Sequence, residues 1–219
     1  MLEALNNLLF HKKHICLICR ENNANLKNYI CKDCYENLDI LDKEIELDSS
    51  YIKKAYYSLS YNRFIREKMK DYKFNGKNFL YKPFGEIILD TIRKKGLDKR
   101  IDIITYIPTH RRKEALRGYN QAELLANYIS ENIDKPLLGD NLIKIKWTKD
   151  QSHLTKIDRI INLQDSFKLK EAGEVKNKRI LLIDDIITTG ATMEECSKVL
   201  SENGAKEVIG IALTSSKTN

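Results

Sequence analysis

Runs of apolar residues alternate with helical patterns along much of this 219-residue chain. Nearly continuous apolar runs rich in β-branched residues, typical of buried parallel strands, occur at Ile101–Ile107, Arg179–Ile183 and Lys206–Ser215. Apolar residues recur at helical spacing over Asn120–Asn132 and Thr192–Asn203. Strands that alternate with helices in this way predict an α/β fold with a mainly parallel sheet flanked by helices.

The helix predicted at Thr192–Asn203 has a start signal of its own, because Thr192 and Glu195 have the spacing of a capping box. Four further segments have the patterns of regular elements. They are a strand or strand pair at Tyr51–Tyr61, helices at Asn62–Lys73 and Asn78–Lys95, and a strand at Leu142–Trp147.

Four of the five cysteines form two Cys-x-x-Cys pairs near the amino terminus, Cys16 with Cys19 and Cys31 with Cys34. Each tight turn points two sulfurs at one place, and four thiolates in a tetrahedron suit structural zinc. Two disulfides or a redox pair are the alternatives, but a cytoplasmic chain disfavours disulfides and a redox pair normally occurs once. We therefore predict a structural zinc ion in a small module of residues 1–50, which precedes a main domain of residues 51–219.

The net charge of +7 is unevenly distributed. Residues 1–55 carry 8 basic and 9 acidic side chains, whereas residues 93–117 carry 9 basic and 3 acidic ones. A basic patch of this kind suits phosphates or nucleic acid, and a solvated surface in a basic protein is the alternative. No apolar run approaches the roughly 20 residues that span a bilayer, and the first residues lack the basic start of a secretion signal. We therefore expect the protein in the cytoplasm.

The segment Ile180–Thr192 combines an apolar strand, an acidic pair and a hydroxyl-rich loop that opens a helix. Asp184 and Asp185 follow the strand. Two adjacent carboxylates there cost free energy unless a ribose diol or a magnesium ion binds them. The next residues supply backbone N–H groups and hydroxyls for an anion: Thr188, Thr189, Gly190, Ala191 and Thr192. An ordinary strand–loop–helix junction explains the complete string poorly. We predict a loop that binds a 5-phosphoribosyl group.

A second candidate loop follows the strand Ile101–Ile107 and is strongly basic. It contains Thr109, His110, Arg111 and Arg112 at the carboxyl end of that strand. Basic side chains there would offset the charge of a diphosphate. A solvated cluster of charges is the alternative.

The segment Ile180–Thr192 resembles the diphosphate-sugar-binding signature of type I phosphoribosyltransferases. Two more segments indicate which family within this fold the chain resembles. One is Arg112–Ala122, which reads Arg-Lys-Glu-Ala-Leu-Arg-Gly-Tyr-Asn-Gln-Ala, and the other is Asp150–Leu154 with Arg159 downstream. Together with the cysteine quartet, and in this order, these motifs are similar to those of the ComF family over nearly the whole chain.

The resemblance implies a type I phosphoribosyltransferase-like fold with a small four-cysteine zinc finger at its amino terminus. It implies that Asp184 and Asp185 meet the ribose hydroxyls, that residues 188–192 hold the 5-phosphate, and that residues 109–112 face a diphosphate. Magnesium would accompany phosphoribosyl diphosphate, and the two aspartates are the catalytic candidates of any transfer reaction. The family segments add further candidates: Arg117, Gly118, Asn120, Gln121, Gln151 and Arg159.

The resemblance also implies a role in natural transformation, in which the protein handles single-stranded DNA as it enters the cytoplasm. The ligands would be phosphoribosyl diphosphate or a nucleotide, together with single-stranded DNA. The implied partners are a competence helicase and a DNA-processing protein, at the inner face of the membrane beside the DNA-uptake machinery. The alternative function is an active phosphoribosyltransferase that transfers ribose 5-phosphate to a base or an amine.

Overall fold

The structure is a computed structural model that describes residues 14–148 and 155–216. Two short 3-10 turns, at Asn78–Leu80 and Ala172–Val175, connect its regular elements. In chain order these elements are α1 (Lys32–Glu36), β1 (Ile40–Ile45), β2 (Lys54–Ser60), α2 (Arg63–Phe74), α3 (Tyr81–Lys94), β3 (Ile103–Tyr106), α4 (Arg111–Arg117), α5 (Gln121–Ile133), β4 (Leu142–Lys144), α6 (Lys156–Leu163), β5 (Phe167–Leu169), β6 (Arg179–Ile187), α7 (Ala191–Glu202) and β7 (Glu207–Ser215).

A five-stranded sheet forms the centre of the molecule, in the order β1-β2-β7-β6-β3. Strands β2, β7, β6 and β3 run parallel to one another, and only the edge strand β1 pairs antiparallel, with β2. A separate antiparallel pair, β4 with β5, stands beside this sheet. The predicted α/β architecture with a mainly parallel sheet is therefore confirmed.

Helices cover both faces of the sheet because successive residues of the central strands point to opposite sides. Along β6, Leu181 and Ile183 belong to one core with helices α3 and α5, whereas Ile180 and Leu182 belong to a second core with helix α7. These four side chains are completely buried. The sheet is thus fixed on both faces, and the carboxyl ends of its parallel strands are left as the open edge.

The cysteine-containing segment packs directly onto the main core. Ile18, Ile30 and Leu38 are buried in the same apolar cluster as Tyr56 and Leu59 of strand β2. Strand β1 lies within the residues 1–50 that the sequence assigns to a separate module, yet it is the edge strand of the main sheet. The division of the chain at residue 50 stays a prediction.

Helices long and apolar enough to cross a membrane are absent from residues 14–148 and 155–216.

Candidate functional site

The acidic pair lies in the carboxyl-terminal half of strand β6, at the open edge of the sheet. The ladder with β7 continues to Ile187, so Asp184 and Asp185 belong to the strand itself rather than to the loop after it. Asp185 is buried, and its carboxylate forms an ion pair with Lys73 Nζ at 2.8 Å. Its backbone N–H donates to Asp184 Oδ1 at 2.8 Å.

Two adjacent carboxylates in this position repel each other. Burial, followed by the negative charge of Asp185, raises the pKa of Asp184 well above its usual range, while Lys73 opposes the shift. A single positive charge, that of Lys73, thus acts on both carboxyl groups. The acidic pair therefore retains the capacity to bind a further cation or hydroxyl donors.

The loop after β6 turns sharply into helix α7. Gly190 caps the helix with φ of +86°, a left-handed conformation that favours glycine. A Cβ atom at this position would also lie 2.7 Å from Leu47 Cδ2. The Thr189 hydroxyl accepts a hydrogen bond from the Ala191 N–H at 3.4 Å. The helix begins at Ala191, and the capping box predicted from Thr192 and Glu195 is wrong, because Glu195 accepts instead from the N–H of Asp165 at 2.8 Å.

The basic loop after β3 leads at once into the short helix α4. Its Arg111 and Arg112 form the first turn of α4 and are exposed. His110 caps that turn, because its Nδ1 accepts a hydrogen bond from the Arg112 N–H at 3.3 Å. Burial, followed by the charges of Arg112 and Arg111, lowers the pKa of His110, so the ring is neutral near pH 7 with its proton on Nε2.

The Arg-Gly-Tyr-Asn-Gln segment connects three elements around the open edge. The Gln121 side chain accepts from Arg117 and donates to the backbone carbonyl of Tyr72 at the end of α2. The Asn120 side chain accepts from the Ala122 N–H and donates to the carbonyl of Ile107, just after β3. Gly118 ends helix α4 with φ of +86°. These contacts hold Lys73, the next residue after Tyr72, at the acidic pair.

One cleft of about 380 Å³ brings most of the predicted site together. Its lining combines the acidic pair, hydroxyls of the β6–α7 loop, the β3–α4 loop and the side chains of the connecting segment. The predicted residues that line it are Thr109, His110, Arg117, Asn120, Gln121, Asp184, Asp185, Thr188 and Thr192.

The structure places other predicted residues elsewhere. Thr189, Gly190 and Ala191 line a neighbouring cavity of about 250 Å³, on the other side of the same loop. Gly118 is a helix terminator, and Arg159 is a residue of helix α6. Gln151 lies outside the described residues.

Several lining residues were not singled out from the sequence, and four of these are cationic or aromatic. They are Lys73, Phe74, Lys144 and Trp147. Lys73 and Phe74 end helix α2, more than a hundred residues before the acidic pair. Local sequence patterns cannot report such a contact, since only the tertiary fold brings α2 to β6.

The four N-terminal cysteines form a compact cluster. Their sulfurs all lie within 4.8 Å of one another, and the sulfurs of Cys19 and Cys31 are 3.9 Å apart. Thiolates held about 2.3 Å from a zinc ion in a tetrahedron would be roughly 3.8 Å apart. The Cys16 sulfur also accepts a hydrogen bond from the Cys31 N–H at 3.3 Å, which fixes one turn against the other. The donor set and its spacing fit a metal ion with four sulfur ligands.

Comparisons with known proteins agree with this architecture. Residues 120–218 match the family described as phosphoribosyl transferase domain. Competence protein F of Haemophilus influenzae is 27% identical over 88% of this chain and 93% of its own length. Competence protein ComFC of Bacillus subtilis is 28% identical over 87% of this chain and 73% of its own length.

Among solved structures, an adenine phosphoribosyl transferase from Trypanosoma brucei is similar at a TM-score of 0.45 and 15% identity, over 81% of this chain and 87% of that one. The match to the domain family, the long alignments to two competence proteins and the four-cysteine cluster in front of the parallel sheet point to one family. The chain is similar over most of its length to competence proteins of the ComF type, and its carboxyl-terminal part matches the phosphoribosyl transferase domain family.

Proposed function

We propose that this protein serves DNA uptake in natural transformation by binding a ribosyl phosphate, such as phosphoribosyl diphosphate, together with single-stranded DNA. One observation carries the ribosyl-phosphate part of the proposal. The acidic pair, the hydroxyl loop and the β3–α4 loop, which are far apart in sequence, line a single cleft. The names of the two competence proteins support the role in transformation.

The lining residues divide naturally between the parts of such a ligand. Asp184 and Asp185 accept hydrogen bonds from the two ribose hydroxyls. These bonds offset the cost of placing two carboxylates side by side. Thr188 and Thr192 offer hydroxyls to the 5-phosphate near the start of helix α7. Thr109 and His110 face the diphosphate from the opposite loop, with His110 as a donor through Nε2.

Magnesium fits this cleft because carboxylate oxygens are its preferred protein ligands. Asp184 and Asp185 would hold it, and binding of the ion would release the proton that the raised pKa keeps on Asp184. The ion would supply positive charge to offset that of a diphosphate.

The hydroxyl requirement gives a direct test of the ribosyl assignment. Phosphoribosyl diphosphate and ribose 5-phosphate should raise the thermal midpoint of unfolding, because a ligand that binds only the folded state stabilises it. We expect 2-deoxyribose 5-phosphate to raise the midpoint much less, since it lacks one hydroxyl and leaves an aspartate unpartnered. Equal shifts with the two sugars would count against recognition of the diol, and no shift with any of them would contradict the proposal.

The charge of the cleft supports the DNA part of the proposal. Lys73, Lys113, Arg117 and Lys144 line it, and the basic excess of the chain lies after residue 55. Each cation that neutralises a phosphate of a single strand contributes a salt dependence of about −0.7 to the slope of log affinity against log salt. Because Lys73 already pairs with Asp185, the other three contacts predict a slope of roughly −2.

Anisotropy of a labelled deoxythymidine oligonucleotide at several salt concentrations would measure this slope. We expect Lys113→Gln to reduce its magnitude by about 0.7, because one phosphate contact is lost. Lys32→Gln is the matched control, since Lys32 is exposed in helix α1 beside Glu36. A DNA affinity that is absent at low salt, or that does not vary with salt, would contradict DNA binding by charge neutralisation.

The same cleft also fits a second function, an active phosphoribosyltransferase, because the matching family is named for that activity. In that case diphosphate would be released from phosphoribosyl diphosphate in the presence of a base or amine. A panel of bases and amines, assayed for diphosphate release in the presence of magnesium, distinguishes the two functions. Ligand binding without release across the panel would favour the binding function.

We further propose that the cysteine cluster holds zinc and that the ion is structural. All four sulfurs would be ligands, so no position remains for a substrate or water. Three of the cysteines are buried, and Ile18 and Ile30 beside them join the main core. The cluster would thereby fix the amino-terminal segment against the sheet. The helicase and the DNA-processing protein stay proposed partners.

A further inference from the structure

Large apolar side chains are exposed at the outer lip of the cleft. Among the described residues, Phe74, Leu116 and Trp147 are 68%, 84% and 54% exposed, and all three line one depression of about 390 Å³. Exposed apolar side chains that cluster in this way mark binding surfaces more often than single ones do. Two of the three are aromatic and therefore offer flat faces to a ligand.

A cationic or polar group contacts each of the two aromatic rings. The Arg117 guanidinium carbon lies 5.2 Å from the centre of the Phe74 ring. The His110 ring meets the Trp147 ring edge to face, with centroids 5.2 Å apart. Lys73 and Lys113 line the same depression. Aromatic faces interleaved with cations are the combination that binds single-stranded nucleic acid, because bases stack on the rings while phosphates meet the cations.

The depression is continuous with the ribosyl-phosphate cleft. Six residues line both spaces: Lys73, Phe74, Lys113, Arg117, Trp147 and Thr148. Lys73 is also the ion-pair partner of Asp185, so it links the lip to the acidic pair. A ligand on the lip would therefore contact groups that also face a ligand in the cleft.

We propose that Phe74 and Trp147 form a stacking platform for an unpaired base of a DNA strand that crosses the mouth of the ribosyl-phosphate cleft. The phosphates of that strand lie along Lys113 and Arg117. A duplex does not fit this role, since its bases are already stacked on each other. The exposure of both rings suits a strand that passes over them better than a small molecule enclosed between them. The inference rests on the proposed binding of DNA and names the residues that recognise it.

Trp147 is the only tryptophan of the chain, so its fluorescence reports directly on stacking. We expect a 12-nucleotide deoxythymidine strand to quench this fluorescence strongly. An abasic strand of the same length carries the same phosphates without bases, and we expect it to bind at least tenfold more weakly and to quench little. Equal affinity and equal quenching by both strands would overturn the inference and leave binding to the phosphates alone.

Substitutions provide an independent measurement through the anisotropy of a labelled strand. Phe74→Ala and Trp147→Ala should each weaken binding of the deoxythymidine strand by about tenfold or more, and binding of the abasic strand by much less. Ile161→Ala is the matched control, because Ile161 is a similarly exposed apolar residue of helix α6. Platform variants that bind the deoxythymidine strand like the control would overturn the inference.

These outcomes separate the inference from the function on which it rests. If the unsubstituted protein binds neither strand, the proposed DNA binding itself fails. If it binds both strands equally and the platform variants behave like the wild-type protein, DNA binding stands and only the platform is wrong. Unchanged thermal midpoints of unfolding for Phe74→Ala and Trp147→Ala, both at exposed positions, show that the fold is intact in either case.

Discussion

Replacing Asp184 and Asp185 together by Asn is expected to abolish binding of phosphoribosyl diphosphate, whereas Asp184→Asn alone is expected to stabilise the protein. In the proposed complex the carboxylates accept hydrogen bonds from the ribose hydroxyls, and each such charged hydrogen bond contributes about 1.5–3 kcal/mol. Loss of both predicts at least roughly a hundredfold weaker binding. Stability should rise in Asp184→Asn because this variant no longer places two repelling carboxyl groups side by side, while it keeps the ion pair between Asp185 and Lys73.

The stabilising effect should depend on pH, in a direction that follows from Asp184. Its pKa is raised in the folded protein, so the folded state holds a proton that the unfolded state, with a pKa of about 3.9, has already lost. The contribution of Asp184 to stability therefore falls as pH rises from about 4 towards the raised pKa. Asp184→Asn removes this dependence, and the gain in thermal midpoint should be larger at pH 8 than at pH 5.

Thermal unfolding of wild-type protein and Asp184→Asn at the two pH values checks this expectation. Each 1 kcal/mol of relieved repulsion corresponds to roughly 2–4 °C in a chain of this size. Asp134→Asn is a suitable control, because Asp134 is an exposed residue at the end of helix α5 whose left-handed conformation asparagine also tolerates. A gain in thermal midpoint that is equal at both pH values, or that the control shares, would show that repulsion within the acidic pair does not destabilise the protein.

Removal of zinc is expected to have the largest effect on stability. Structural zinc contributes an apparent free energy of about 10–16 kcal/mol in small zinc-binding peptides. The segment around the cysteines buries Ile18, Ile30 and Leu38 in the same core as strand β2, so its loss would also uncover part of the main sheet. We expect a chelator, or Cys31→Ser, to lower the thermal midpoint by about 10 °C or more.

Metal analysis accompanies this measurement. The wild-type protein should contain one zinc ion per chain, and Cys31→Ser should contain much less. Cys196→Ala is the matched control, since Cys196 is equally buried but lies in helix α7 away from the cluster. It should keep its zinc and lose only the stability expected from a small cavity. A wild-type protein that folds identically without metal would contradict a structural zinc site.

The sequence predicted the central elements well because their patterns are determined by burial. Strands β3, β6 and β7 are apolar runs buried on both faces, and helices α2, α3 and α5 have regular apolar stripes. The acidic pair and the hydroxyl loop could be placed together because the carboxyl ends of parallel strands share one edge. Asp184 and Asp185 nevertheless lie within β6, which continues to Ile187, because pairing with β7 is not interrupted by polar side chains.

The remaining features depend on contacts that no local pattern encodes. Strand β1 is an edge strand whose register shifts between Ile40 and Lys43, with Asp42 at φ of +48°, so its side chains do not alternate regularly. Lys73 contributes to the site through its ion pair with Asp185, which lies more than a hundred residues later in the chain. The start of helix α7 is decided by the conformation of Gly190 rather than by a hydroxyl cap.

The central claim is that the cleft at the carboxyl ends of β3 and β6 holds a phosphoribosyl group. Calorimetric titration of phosphoribosyl diphosphate into the full chain, with magnesium and with or without a saturating deoxythymidine strand, tests it most directly. We expect one site per chain, loss of the site on joint replacement of Asp184 and Asp185 by Asn, and a changed affinity in the presence of DNA. The claim would be contradicted if no heat of binding were detected at millimolar ligand, or if binding were the same in the doubly substituted protein.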